Sequence, residues 1–187
     1  MADLHINNLY TYKKYCKILK NKRIALVGPS WHTKGMGYGK LIESCDLIVR
    51  MNLGYIIPKK LQPDLGVRTD LLFSSLSKYY FTNKHFDKKK LMKMKKYLKC
   101  FCLTHHCIHK EGSRRLDIIN QSVNIPIHII ERSDYKHIHN ITKKKVTTGM
   151  ITIYDLLKYS IKKLYIIGMS FYDIKVVGKK KDIFFWI

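Results

Sequence analysis

Apolar residues in this chain fall in short blocks separated by polar, glycine-bearing turns. The blocks IALV, LIV, LLF, CFCL, IPIHII and LYII are each too short for a buried helix. Continuous apolar runs of this length, bounded by turn residues, suit strands covered on both faces. The spacing predicts strands at 23–28, 46–51, Thr69–Leu76, Cys100–Thr104, Ile125–Ile130 and Leu164–Gly168. Between them the period lengthens. Residues 9–20 read as a short helix with Tyr12, Cys16 and Ile18 available to pack, and residues 38–44 as another. Lys88–Leu98 places Leu91, Met94 and Leu98 on one face and lysines on the rest, and Thr148–Lys158 is a further helix. Alternating strands and helices predict an α/β fold: one mostly parallel, Rossmann-like sheet with helices on both faces. No repeat or linker divides residues 1–187, which read as a single domain. The apolar segment Asp182–Ile187 is expected to be buried, swapped or paired.

The glycines and small polar residues sit at strand ends. Ile24 to Asn52 runs from a strand through Gly35, Gly37 and Gly39 into a helix, then a strand that ends on an asparagine. The carboxyl end of a strand in an open α/β sheet is where ligands bind, often with an anion at a helix N-terminus. The glycines spell GxGxG, which is neither the dinucleotide fingerprint nor a P-loop. They fit a ligand-facing loop or a turn that only reverses the chain. Far along the chain, Thr147, Thr148 and Gly149 open a helix whose first N–H groups lack partners, with threonine hydroxyls as caps.

Together these segments resemble glycosyltransferase family 29, the sialyltransferases. Val27, Gly28, Ser30, Gly35, Gly37, Tyr38, Gly39, Asp46, Arg50, Met51 and Asn52 follow the order of its large motif. Thr147, Thr148, Gly149, Met150 and Gly168 follow its small motif, and Asp64–Phe73 resembles the G-x-R-T-D segment of short, soluble relatives. The resemblance implies a variant GT-A fold that binds a CMP-type nucleotide sugar and transfers a sialic-acid-like sugar to a hydroxyl of a carbohydrate acceptor. It implies nucleotide contacts from Gly28, Ser30 and Asn52, and phosphate or carboxylate contacts from Thr147, Thr148 and Gly149. It also implies metal independence, and no DxD-like pair stands in the chain, so no cofactor is expected. The chain departs from the family at three places. Pro29 replaces the usual asparagine of the first motif, Ser160 stands at the small-motif cysteine position, and residues 173–187 carry no histidine where the family places its base.

A base must reach the acceptor hydroxyl and titrate near neutral pH. His32 in the glycine loop is the candidate catalytic residue; His137 and His139 lie in a polar stretch before the Thr147 helix start. For each the alternative is a surface histidine. A non-catalytic nucleotide binder and a nucleotide-sugar hydrolase therefore stand beside the transferase reading.

The net charge of +23 adds a further candidate partner. Lysine runs at 88–90, 93–99, 143–145 and 179–181 favour polyanions, nucleic acid among them, unless they are merely solvated faces. Cys100, Cys102, His105, His106, Cys107 and His109 cluster without the paired spacing of a structural zinc site, so no metal is assigned. Strand alternation instead sends Cys100, Cys102 and Thr104 to one face, toward the core. No apolar stretch reaches the roughly 18 residues of a membrane span, and the first residues carry no secretory pattern. With the odd count of five cysteines, this leads us to expect free thiols, a reducing compartment and a cytoplasmic location.

Overall fold

The structure, a computed structural model, describes residues 12–30, 33–76, 92–93, 95–104, 116, 119, 124–169 and 185–186. Its described elements follow in order: α1 (Tyr12–Leu19), β1 (Arg23–Val27), α2 (Gly39–Glu43), β2 (Leu47–Met51), a 3-10 turn (Lys59–Leu61), α3 (Gln62–Leu65), β3 (Leu71–Ser74), β4 (Cys100–Leu103), β5 (Ile127–Ile129), α4 (Arg132–Thr142), α5 (Thr148–Leu157), β6 (Lys163–Ile167) and β7 (Phe185–Trp186).

One seven-stranded sheet has the order β5-β4-β3-β2-β1-β6-β7. Strands β1 to β6 are parallel, and β7 pairs antiparallel with β6, Tyr165 opposite Trp186. Of the three fates expected for the terminal apolar segment, this is the paired one. Each expected strand appears; the first five are shortened at one or both ends, and the last is shifted one residue earlier, to Lys163–Ile167. Of the helix expected at 88–98, Met92, Lys93 and Lys95 are helical, Lys96 and Tyr97 form a turn and Leu98 is buried, while 88–91 and 94 lie outside the described residues.

The sheet is apolar on both sides because successive side chains alternate. Ile24 and Leu26 of β1 join Tyr15 and Leu19 of α1, Ile138 of α4, and Ile151 and Leu156 of α5 in one core layer. Ala25 and Val27 point the other way, to Ile42 of α2, with Leu65 of α3 packed at the margin. Helices therefore cover both faces, as the strand composition requires. Cys100 and Cys102 of β4 lie in the first layer and Phe101 and Leu103 in a third cluster on the reverse face, in line with the expected alternation.

Helix α4 occupies what read as a polar stretch. Its buried face is only Asp134 and Ile138, with Tyr135 packed alongside, so its apolar periodicity is faint. Lys143 caps it in the left-handed region, φ 54°.

The topology places the site. The chain moves outward from β1 to β5, then α4 and α5 carry it back to β6 on the other side of β1. Strand order reverses between β1 and β6, and the carboxyl ends of those strands form the crevice where such sheets bind ligands.

Candidate functional site

The ends of β1 and β6 meet closely. Gly28 donates its N–H to Ile167 O at 2.8 Å, and Ser30 donates its N–H to Gly168 O at 2.9 Å. A side-chain carbon on Gly28 would collide with the Gly168 carbonyl oxygen, which explains the glycine. Both backbone donors are thus committed to the sheet. The Ser30 carbonyl accepts from Thr33 Oγ1 at 3.0 Å.

The neighbouring strand ends on Asn52, whose φ of 49° is left-handed, a conformation asparagine tolerates well. Asn52 is a hub. Its N–H donates to Phe73 O at 2.8 Å. Its Oδ1 accepts from Ser75 N at 3.3 Å and Ser74 Oγ at 3.4 Å, and its Nδ2 approaches Thr148 Oγ1 at 3.5 Å. The last contact joins two segments 96 residues apart in the chain.

Helix α5 runs antiparallel in sense to β6, so its first turn opens at this edge. Thr147 is the N-cap, extended at φ −89° and ψ 162°, and its Oγ1 accepts from Met150 N at 3.3 Å. The N–H groups of Thr148 and Gly149 have no acceptor within the helix, and the positive end of the helix dipole lies here. Gly149 is buried against Met51 and Met169, linking β2 to the end of β6. Exposed Lys143, Lys144 and Lys145 precede the cap, separated from it by buried Val146. Nearby at the end of β4, Thr104 is 1% exposed with Oγ1 unpartnered among the described residues.

The glycine loop serves the scaffold. Gly35 and Gly37, at φ 79° and 69°, donate their N–H groups to Asp64 Oδ2 and Oδ1, both at 2.8 Å. Those N–H bonds, Gly35 first, hold the Asp64 carboxyl below the usual carboxylate range. The loop is thus folded around an internal anion supplied by α3. The sequence marked Asp64 only as the first residue of the G-x-R-T-D segment.

That segment and Arg50 form a brace behind the site. Arg50, 1% exposed, donates Nη2 to Leu65 O at 2.6 Å and Nε to Arg68 O at 3.1 Å. Burial pushes its guanidinium down to about 10. Arg68 donates Nη2 to Cys45 O at 2.6 Å and pairs with Asp70 at 3.2 Å, while Asp70 accepts from Ile48 N at 2.9 Å. Asp46 takes the Arg23 N–H at 2.7 Å, at the opposite edge of the sheet.

A second polar cluster, absent from the sequence reading, anchors α5 from below. Asp155 accepts from Tyr15 Oη at 3.1 Å, and its Oδ1 lies 3.2 Å from His128 Nε2. The Tyr15 and His128 rings stack, 3.7 Å between centroids and 7° apart. Cys102 Sγ lies 3.7 Å from the tyrosine hydroxyl. Burial, followed by Cys102 and Asp155, keeps the Tyr15 phenol protonated well above its ordinary range. Only the tertiary fold collects these residues from α1, β4, β5 and α5.

Of the expected site residues, Gly28, Ser30, Asn52, Thr147, Thr148 and Gly149 come together at one sheet edge. His32 lies outside the described residues, as do His105, His106, Cys107 and His109. His137 and His139 are exposed on α4, where the Lys144 carbonyl engages His139 Nδ1 at 2.9 Å. Among the described residues no group of three metal-ligating side chains forms.

The profile of glycosyltransferase family 29 (sialyltransferase) matches residues 6–159. The chain belongs to glycosyltransferase family 29. Its structural neighbours include a mammalian sialyltransferase crystal structure, with TM-score 0.51 and 17% identity over 80% of this chain and 55% of that one. A mammalian sialyltransferase in complex with Gal-beta-1-3GalNAc-ortho-nitrophenol matches with TM-score 0.51 and 16% identity, over 82% and 57% of the two chains. This family member thus spans a little over half the length of those relatives. At this identity the likeness shows the fold. No curated protein sequence matches the chain significantly. None of the described helices is long and apolar enough to cross a membrane.

Proposed function

We propose that this family 29 protein binds a CMP-type nucleotide sugar at the carboxyl edge of β1, β2 and β6, and transfers a sialic-acid-like sugar to a hydroxyl of a carbohydrate acceptor. The observation that carries the reading is the approach of Asn52 Nδ2 to Thr148 Oγ1, which unites the large-motif and small-motif segments in one polar site. Asn52 offers a donor and an acceptor to a base or ribose. The first turn of α5, with Thr147, Thr148 and Gly149, suits a phosphate or carboxylate. Gly28 keeps the strand ends close enough for Ser30 to border the same crevice.

Transfer needs a base at the acceptor oxygen. As that oxygen attacks the anomeric carbon, the base takes its proton, and the bond to phosphate breaks with its electron pair leaving on CMP. Charge grows on the departing phosphate, which α5 and the Lys143–Lys145 run oppose. In this reading His32 is the base and no metal or other cofactor takes part. The free thiols of Cys16, Cys45, Cys100 and Cys102 support a reducing, cytoplasmic setting.

The test is thermal stabilisation by CMP, CDP, UMP, AMP, GMP and CMP-sialic acid, then product analysis with a galactose-terminated acceptor. Selective stabilisation by CMP ligands with sugar transfer supports the proposal. Release of free sugar identifies a hydrolase, stabilisation without any turnover a binder. No stabilisation by a cytidine ligand overturns the site.

A further inference from the structure

A cleft of about 490 Å³ lies between α1 and the end of α5, lined chiefly by Tyr12, Lys13, Lys17, Lys20, Lys158 and Tyr159. It is remote from the carboxyl-edge site, because α5 separates the two by its own length of about 15 Å. Lys13, Lys17 and Lys20 follow at i, i+4 and i+7, so they form one stripe about 10 Å long on the helix surface. Helix α1 contains no acid. Lys158 is neutralised by Asp134 at 2.6 Å, whereas the three stripe lysines have no ion-pair partner among the described residues. Acids elsewhere among the described residues already have partners: Asp46 faces Arg23, Asp70 faces Arg68 and Lys99, and Glu43 takes the N–H groups of Val67 and Arg68.

An aromatic platform stands beside the stripe. Tyr12 is 67% exposed, and its ring leans on Tyr159 with centroids 5.8 Å apart. Tyr159 is itself held edge-on by buried Tyr15 at 5.1 Å. The exposed ring is thus backed by two others. A basic groove that tracks phosphates beside aromatic rings that accept bases is the recurring design of single-strand binding. An isolated phosphate would leave most of the stripe unopposed. A flat anionic membrane would leave the concavity empty.

We propose that this cleft is a docking groove for single-stranded nucleic acid, with Lys13, Lys17 and Lys20 on the phosphates and Tyr12 stacking on a base. The proposal is independent of the nucleotide-sugar site.

Fluorescence anisotropy of a labelled oligothymidylate of about twelve nucleotides, titrated with the full chain at several NaCl concentrations, tests it. Three phosphate contacts predict a log affinity against log salt slope of about −2. K13Q/K17Q/K20Q should bind at least about tenfold more weakly and flatten the slope. K40Q/K59Q/K60Q, an equal charge change on the opposite helical layer, should stay within about twofold of wild type. Tyr12→Ala should lose about tenfold on the oligonucleotide and nothing on heparin, which has no bases. Asn52→Ala should change neither. Circular dichroism confirms that each variant is folded. No binding at low salt overturns the proposal, and so does equal loss in the two triple variants, which would mean diffuse charge. A neutral Tyr12→Ala also overturns it, by removing the stacking that separates nucleic acid from any other polyanion.

Discussion

At the residue scale, Asn52 carries two roles that can be separated. Its backbone needs a left-handed φ, and its amide ties Ser75 and Thr148 into one site. Asn52→Ala strains the backbone and removes the amide, so it should lose about 1 kcal/mol of stability as well as ligand affinity. Asn52→Gly relieves the strain but still lacks the amide. It should fold with near wild-type stability and bind CMP about tenfold more weakly, the worth of one or two hydrogen bonds. Titration calorimetry with CMP beside urea denaturation of both variants checks the separation. Wild-type CMP affinity in Asn52→Gly would remove Asn52 from the site. Asp155 offers a second reading at this scale. Asp155→Ala strips Tyr15 and His128 of a shared buried acceptor. Two buried polar groups left unsatisfied should cost about 2–5 kcal/mol in urea denaturation. A loss below about 1 kcal/mol would show that the cluster relaxes freely or admits water.

At the element scale, the glycine loop is held by α3 through Asp64. A carboxyl held low in the folded state stabilises the fold fully above the unfolded carboxylate range, near pH 4, and that contribution fades as pH falls through the lowered folded value. Asp64→Asn removes the charge, so its thermal midpoint should start lower at neutral pH and fall less than wild type between about pH 5 and about pH 3. Parallel acid-induced losses in both proteins would show that the two N–H bonds contribute no linkage. This loop also shows where reading the sequence stops. The sheet was legible because each strand is an apolar run bounded by turn residues, and Asn52, Thr147 and Thr148 were legible because small polar residues stood at strand and helix ends. Asp64 was not, since a carboxylate that closes a glycine loop has no spacing rule and acts across 29 residues. The Asp155 cluster was hidden for the same reason: Tyr15, Cys102, His128 and Asp155 come from four elements, each apolar or unremarkable alone. Helix α4 was missed because a helix resting one edge on the protein needs only a narrow apolar face.

At the scale of the whole molecule, the fold must tolerate 36 basic residues against 13 acidic ones. Among the described residues, three buried acids are placed where they serve structure, so they do little to dilute the field outside. Asp64 is enclosed by the glycine loop, Asp155 lies in the core with Tyr15 and His128, and Asp70 is buried between Ile48 N, Arg68 and Lys99. Exposed lysines on α1, on α2, in the Lys143–Lys145 run and at the start of β6 therefore repel one another across every face. Self-repulsion of this kind penalises the compact state more than the expanded chain. Screening should relieve it: the Debye length falls from about 30 Å at 0.01 M salt to about 8 Å at 0.15 M, less than the width of the sheet. The thermal midpoint should accordingly rise as NaCl is added over that range, with no nucleotide present. Were surface pairs such as Arg23–Asp46 the dominant electrostatic term, screening would weaken them and the midpoint would fall. The sign of the slope decides between the two, and a rise that persists in K13Q/K17Q/K20Q with reduced amplitude would assign part of the repulsion to the α1 stripe itself.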